Sequence, residues 1–356
     1  MDKIKCERKN IMRAAIIEEI GKVSINDVPK PTPGHGEVLV KISTVGVCHS
    51  DLHVVKNDWV KSPTPFPLGH EAIGIVEELG SGSEDFVKVG DRVILGLGGW
   101  GKYWCGACEH CLAGNPMHCT YRKNLQGVFG EYFVAWVKGL VKLPDEIGNN
   151  DVPLACAGLT AYSAIKKLSN FGIHAGKTIA IIGAAGGLGH YGIQIAKALG
   201  YKVIGVDIGP EKLEFIKKMG VDLAVDANEA GKTVRKLFKS GEIQGVSASI
   251  VFASNIAAFE LGLQLLVRGG VLVAVGLPAF SEGSFSVNPF SLILRGLQIT
   301  SVLVGNIEEM RELVQLAADG KVKTHVGRIA KLSEINEVLE ELEQGKIVGR
   351  AILEVQ

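Results

Sequence analysis

No excess of either charge marks this chain: 38 Lys and Arg face 38 Asp and Glu. That balance removes the electrostatic case for nucleic acid or an anionic membrane surface as a partner. No apolar run is long enough to span a bilayer, and the start carries no apolar stretch of the secretory kind, so the expectation is a cytoplasmic chain whose thiols stay reduced. Internal repeats and low-complexity tracts are absent. The cysteine count is odd, at seven, which argues against a disulfide framework. The opening MDKIKCERKN is polar and mixed in charge; residues 1–11 read as an extension before the strand-like MRAAII, with Met12 as an alternative start.

At 356 residues the chain exceeds one ordinary core, and two domains are expected. Its 45 glycines, well above the usual ~7%, imply many tight turns. Short alternating segments over residues 12–95 (Arg13–Glu18, Val38–Val45, Ile73–Leu79, Arg92–Leu95), separated by clusters such as PTPGHGE and SGSEDFVKVGD, predict antiparallel β structure. From Lys177 the rhythm changes to TIAIIG, then helical GHYGIQIAKALG, KVIGVD, helical EKLEFIKKMG and LAVD, which fits parallel βαβ units. Further strands are expected at Ala248–Phe252, Val271–Val275 and Gln298–Leu303. Two amphipathic helices follow Asn306, and a closing strand covers Arg350–Val355.

Cys105, Cys108, Cys111 and Cys119 lie in WCGACEHCLAGNPMHC, two residues separating the first three and seven preceding the fourth. Tetrahedral zinc takes four thiolates at about 2.3 Å, and short C-x2-C turns deliver sulfurs to one ion. Cysteines this close in sequence rarely meet disulfide geometry, and thiols in a polar, Gly-containing loop make poor core.

The turn Gly183-Ala184-Ala185-Gly186-Gly187-Leu188-Gly189 follows a strand and opens a helix. Glycines there let backbone approach a pyrophosphate, which the helix N-terminus favours. Eighteen residues after Gly189, Asp207 ends the next strand. A carboxylate at that place accepts bonds from an adenosine ribose and repels a 2′-phosphate, predicting NAD(H) over NADP(H), with Lys212 near enough to touch the ribose.

Two further clusters are GVCHSDLH, holding Cys48 and His49, and GHE, holding His70 and Glu71; Cys156 in LACAGLTAY precedes the nucleotide-binding segment. Cys48, His70 and Cys156 together offer two thiolates and one imidazole, a set that leaves zinc an open fourth position.

At this point the chain resembles the zinc-dependent alcohol dehydrogenases of the medium-chain dehydrogenase/reductase family, in particular their shorter, yeast- and prokaryote-like members. GVCHSDLH, GHE, the four-cysteine lobe, CAGLTAY, GAAGGLG with Asp207, and IVGR occur in the family's order from Met12 onward. A Cys2His set with one open place is what the resemblance implies for the catalytic metal. The resemblance implies an α/β fold with a β-rich part: a GroES-like catalytic domain over residues 1–157 and 304–356, with a structural zinc lobe over 100–120. A Rossmann doubly wound parallel sheet over 158–303 is inserted in it.

The resemblance further implies two zinc ions per subunit, one catalytic (Cys48, His70, Cys156) and one structural (Cys105, Cys108, Cys111, Cys119). Hydride would pass between the substrate carbon and a nicotinamide. Ser50 would relay the substrate's proton towards His53, Asp51 would orient His70, and Glu71 would lie beside the metal. His49 and Arg350 would meet the cofactor pyrophosphate, Thr160 the nicotinamide side, and Gly183, Gly186, Gly187, Leu188 and Gly189 the phosphates. Trp59, Trp100 and Leu277 would line a pocket for small, largely apolar alcohols or aldehydes, in a homotetramer.

Four other readings use parts of the same sequence. A semialdehyde reductase, or a zinc-free quinone or enoyl reductase of the same superfamily, shares the GAAGG turn, but the zinc-free reading leaves the metal ligands unused. A nucleic-acid zinc ribbon needs a basic face, and around the lobe only Lys102, His110, His118, Arg122 and Lys123 stand against Glu109. A scaffolding role leaves Cys48, His70 and Cys156 unexplained.

Overall fold

Alternation of buried and exposed residues governs the first part of the chain and sets its strands. The computed structural model describes residues 10–59, 64–95, 103–123 and 127–355. Its described residues divide into two compact units: 1–159, 304–318 and 324–356 in one, 160–303 and 319–323 in the other. Trp100 and the start of the lobe lie outside the described residues, as does most of the segment read as an N-terminal extension.

In the first unit, β1 (Ile11–Glu19) pairs with β2 (Lys22–Pro29) and β4 (Phe66–Pro67) in a small antiparallel sheet. The larger sheet centres on β3 (Glu37–Val47), a long strand buried along most of its length. β3 runs antiparallel to β5 (Glu71–Leu79), β7 (Tyr132–Trp136) and β16 (Arg350–Glu354). β6 (Arg92–Leu95) and β8 (Leu140–Lys142) extend the sheet beyond β5. β15 (Val326–Lys331) closes the other side, parallel to β16. The strand over 326–331 is absent from the sequence reading, because in VGRIAK Arg328 sits on the inner face and Ile329 on the exposed one, so residue type does not follow burial. Val38, Val40, Ile42, Val45 and Val47 join Leu353 and Ile335 in one apolar core, so the ends of β3, β5 and β16 are held firmly. The tail after residue 323 thus docks on this unit through β15 and β16.

In the second unit six strands are all parallel, in the order β11-β10-β9-β12-β13-β14. They span Leu223–Asp226, Lys202–Asp207, Thr178–Ile182, Val246–Val251, Leu266–Ala274 and Gln298–Ser301 respectively. The chain starts at the centre, winds one way, then returns and winds the other, which is the doubly wound topology with its switch point between β9 and β12. β9 is buried throughout, as a central parallel strand has to be. Residues 319–323 belong to this unit because the Gln194 side-chain amide bonds both the N–H and the C=O of Lys323, each at 2.9 Å. Among the described residues no helix is long and apolar enough to cross a membrane.

Candidate metal centres and cofactor turn

The buried centre forms where three strands of the first unit end. β3 runs into Cys48, still extended at φ −121°, which caps the helix His49–Lys56. The Cys48 N–H donates to Asp51 Oδ2 at 2.9 Å, and Asp51 Oδ1 holds His70 Nδ1 at 2.8 Å. One carboxylate thus locks a cysteine and a histidine 22 residues apart. Cys156 sits between the short helix Asn149–Ala155 and the helix Ala157–Lys166. Ligand atoms of Cys48, His70, Glu71 and Cys156 all lie within 4.8 Å of one another.

His70 is nine-tenths or more buried and its Nε2 has no hydrogen-bond partner. A buried ring nitrogen left unpaired is costly unless a ligand completes it. Nδ1 is taken by Asp51, so Nε2 is what remains to face the sulfurs. The Cys156 thiol hydrogen bond, with help from His70 and Arg350, holds the Cys48 thiol well below its usual pKa despite burial. Cys156 is pushed well up by that same hydrogen bond and by burial. A thiolate, a second thiol and an unpaired imidazole nitrogen converging in a buried pocket make a donor set suited to zinc.

Glu71 is fully buried, and Arg350 Nη2 lies 2.7 Å from each of its carboxylate oxygens. Burial raises the Glu71 pKa to about 7, against the pull of Arg350. Arg350, expected at a pyrophosphate, is itself buried at 4% exposure with its charge directed at Glu71. The sequence offers no sign of this pairing, because the two residues are 279 positions apart. His49 is exposed. Ser50 and His53 lie three apart on the same helix and so face the same side. Ser50 Oγ is 3.7 Å from Cys48 Sγ. His53 Nδ1 is 2.8 Å from Asp58 Oδ2, and its ring stacks on Trp59 with centroids 4.6 Å apart. The Asp58 partner also escaped the sequence reading; an acidic residue five positions after a histidine is too common to serve as a signal.

The four-cysteine lobe is built differently. All four ligand sulfurs again lie within 4.8 Å of one another. Cys105 Sγ is 3.6 Å from Cys119 Sγ and 4.0 Å from Cys111 Sγ. Four sulfurs around one tetrahedral zinc stand about 3.8 Å apart, so the spacing fits an ion and excludes a disulfide. The N–H groups of Ala107 and Cys108 donate to Cys105 Sγ and lower its pKa to about 6. Backbone pairing of Tyr103 with Lys123 closes the base of the lobe, where Trp104 packs edge-on against Trp136 at 4.7 Å.

In the second unit the glycine turn leaves β9 and enters the helix Gly189–Ala198. Gly183 has φ +79°, and a Cβ on it would stand 2.8 Å from the Ala253 nitrogen; on Gly189 it would meet the Gly183 carbonyl oxygen at 2.1 Å. No side chain fits at either position, in keeping with a tight strand-to-helix turn at the switch point. Asp207 accepts the N–H of Ala185 at 2.8 Å and that of Ile208 at 2.9 Å, with Lys212 Nζ 3.8 Å away. Asp207 thus ties down the glycine turn. Thr160 is buried, and Leu277 is 48% exposed.

Comparison with known proteins agrees with both units. Residues 187–319 match the family model of the zinc-binding dehydrogenases, and residues 34–145 that of the alcohol dehydrogenase GroES-like domain. An alcohol dehydrogenase of Geobacillus stearothermophilus is 39% identical over 353 residues, covering 97% of this chain and all of the relative. One from Moraxella sp. (strain TAE123) is 38% identical over 96% of this chain and 99% of its own. The crystal structure of the alcohol dehydrogenase from the hyperthermophilic archaeon Aeropyrum pernix superposes with a TM-score of 0.85 at 36% identity, over 96% of this chain and all of that one. These matches define a zinc-binding dehydrogenase with a GroES-like domain. The chain belongs to the zinc-dependent alcohol dehydrogenases of the medium-chain dehydrogenase/reductase family.

Proposed function

We propose that this chain interconverts small primary or secondary alcohols and their carbonyl compounds with NAD(H), using a catalytic zinc on Cys48, His70 and Cys156 and a structural zinc on Cys105, Cys108, Cys111 and Cys119. The observation that carries the proposal is the unpaired, buried Nε2 of His70 beside the two sulfurs. Bound there, zinc would supply Lewis acidity at the substrate oxygen.

The chain's own residues would do the rest. Asp51 fixes the tautomer and orientation of His70 and anchors the Cys48 backbone with its other oxygen, so neither ligand can swing away. Ser50 takes the alcohol proton, and His53, held by Asp58 and backed by Trp59, passes it outward. A bound nicotinamide would supply the hydride acceptor or donor, so no side chain would have to attack covalently. The turn from Gly183 to Gly189 would receive the pyrophosphate. Arg350 is committed to Glu71.

Asp207 accepts the ribose hydroxyls and disfavours a 2′-phosphate, which supports NAD over NADP. Trp59, stacked on His53, would favour small apolar substrates. A panel of alcohols and aldehydes, including carboxylated semialdehydes, assayed in parallel with NAD(H) and NADP(H), tests the proposal. Small apolar substrates with NAD(H) are expected to lead; a preference for NADPH or for a charged semialdehyde would contradict the ribose site or the pocket.

A further inference from the structure

Gly46 lies inside β3, where the backbone does not require a glycine: it is not among the residues with positive φ. It pairs with Glu71 on one side and Ile352 on the other. Glycine within a sheet forgoes packing and costs conformational entropy, and it often marks a place that something else must approach closely. A Cβ at position 46 would stand 2.0 Å from Glu71 Oε2, 3.1 Å from its Cδ and 3.3 Å from its Cβ. All three nearest atoms belong to one side chain.

Directly opposed residues of an antiparallel pair share a face, and so do residues two apart along an extended strand. The space at Gly46, the Glu71 carboxylate and the Cys48 sulfur therefore lie on one side of the sheet. In that space the carboxylate meets Arg350 Nη2 at 2.7 Å, and a Glu71 oxygen is within 4.8 Å of the ligand atoms of Cys48, His70 and Cys156. Glu71 is thus a fourth protein donor held within reach of the centre but turned to Arg350.

We propose that Gly46 is a positioning residue: the side chain it lacks leaves the notch in which the Glu71 carboxylate rests on Arg350, and this keeps one coordination place at Cys48, His70 and Cys156 open for substrate. The proposal rests on the reading of that cluster as a zinc site. A methyl at position 46 evicts the carboxylate from its notch. The metal centre is the cationic partner already within reach, and the displaced carboxylate fills its open place.

The test uses zinc-loaded wild type, Gly46→Ala and the double variant Gly46→Ala/Glu71→Ala, titrated calorimetrically with imidazole, a neutral ligand for an open zinc position. Gly46→Ala should keep both zinc ions yet bind imidazole at least about tenfold more weakly, and the double variant should return to near wild-type affinity. Unchanged imidazole binding in Gly46→Ala, or weak binding that persists in the double variant, would overturn the proposal. Should Gly46→Ala fail to fold, the double variant decides: recovered folding and imidazole binding support the notch, and failure to recover refutes it. Wild type that holds no zinc on this cluster, or binds no imidazole there, defeats the catalytic-zinc reading itself and the proposal with it.

Discussion

The two cysteine clusters solve one problem, gathering four donors around an ion, with opposite materials. The lobe takes all its donors from 15 consecutive residues, stands largely at the surface, and fills its sulfurs' remaining needs with its own backbone N–H groups. The buried centre draws on residues 48, 70, 71 and 156, is sealed in the sheet ends, and depends on side chains from elsewhere: Asp51 on the imidazole, Arg350 on the carboxylate. In the lobe all four donors are thiols, and the coordination shell closes on itself. In the buried centre the fourth donor is a carboxylate with a competing partner, so one place can be vacated. A closed shell suits folding and an open one suits chemistry.

Variants should separate those roles. The largest effect is expected from Cys48→Ala: Lewis-acid assistance is worth several kcal/mol, so kcat should fall roughly 10³-fold. NADH binding, followed by fluorescence, should be nearly unaltered. Retained turnover would remove the catalytic assignment. Cys105→Ser should do the reverse, costing about 4 kcal/mol of stability and lowering Tm by roughly 10 °C while surviving molecules keep most of their kcat. Thermal denaturation with and without chelator checks this, and a melting curve indifferent to both changes would dissolve the contrast.

Asp51→Asn should weaken metal retention at the buried centre by about 10- to 100-fold in chelator competition while leaving the lobe loaded. Equal loss from both centres would show that Asp51 acts on the fold as a whole. The smallest effect is expected from Asp207→Ala, which should narrow the ratio of kcat/KM for NAD over NADP by about tenfold. It also deprives the Ala185 N–H of its acceptor, so affinity for both cofactors should decline somewhat; an unchanged ratio would assign Asp207 to the turn alone.

The same contrast explains what could be read without a structure. The lobe is local, so its spacing alone announces a metal grip. The parallel sheet was equally open to view, since its central strand is the buried run TIAII and glycine is required at the turn positions 183 and 189. Cys48, His70 and Cys156 could be nominated from chemistry and resemblance. Asp51 on His70 came with the same resemblance, whereas Arg350 on Glu71 could not be read, because it is made by tertiary pairing of β3, β5 and β16. The role of Gly46 was hidden for the same reason: in the sequence it is one glycine among 45, and only the register opposite Glu71 gives it meaning.

Anomalous diffraction at the zinc edge from crystals of active enzyme addresses the division of labour most directly. Two peaks per chain are expected, one enclosed by Cys105, Cys108, Cys111 and Cys119 and one touching Cys48, His70 and Cys156 with Glu71 still on Arg350. A peak in the lobe alone would contradict it.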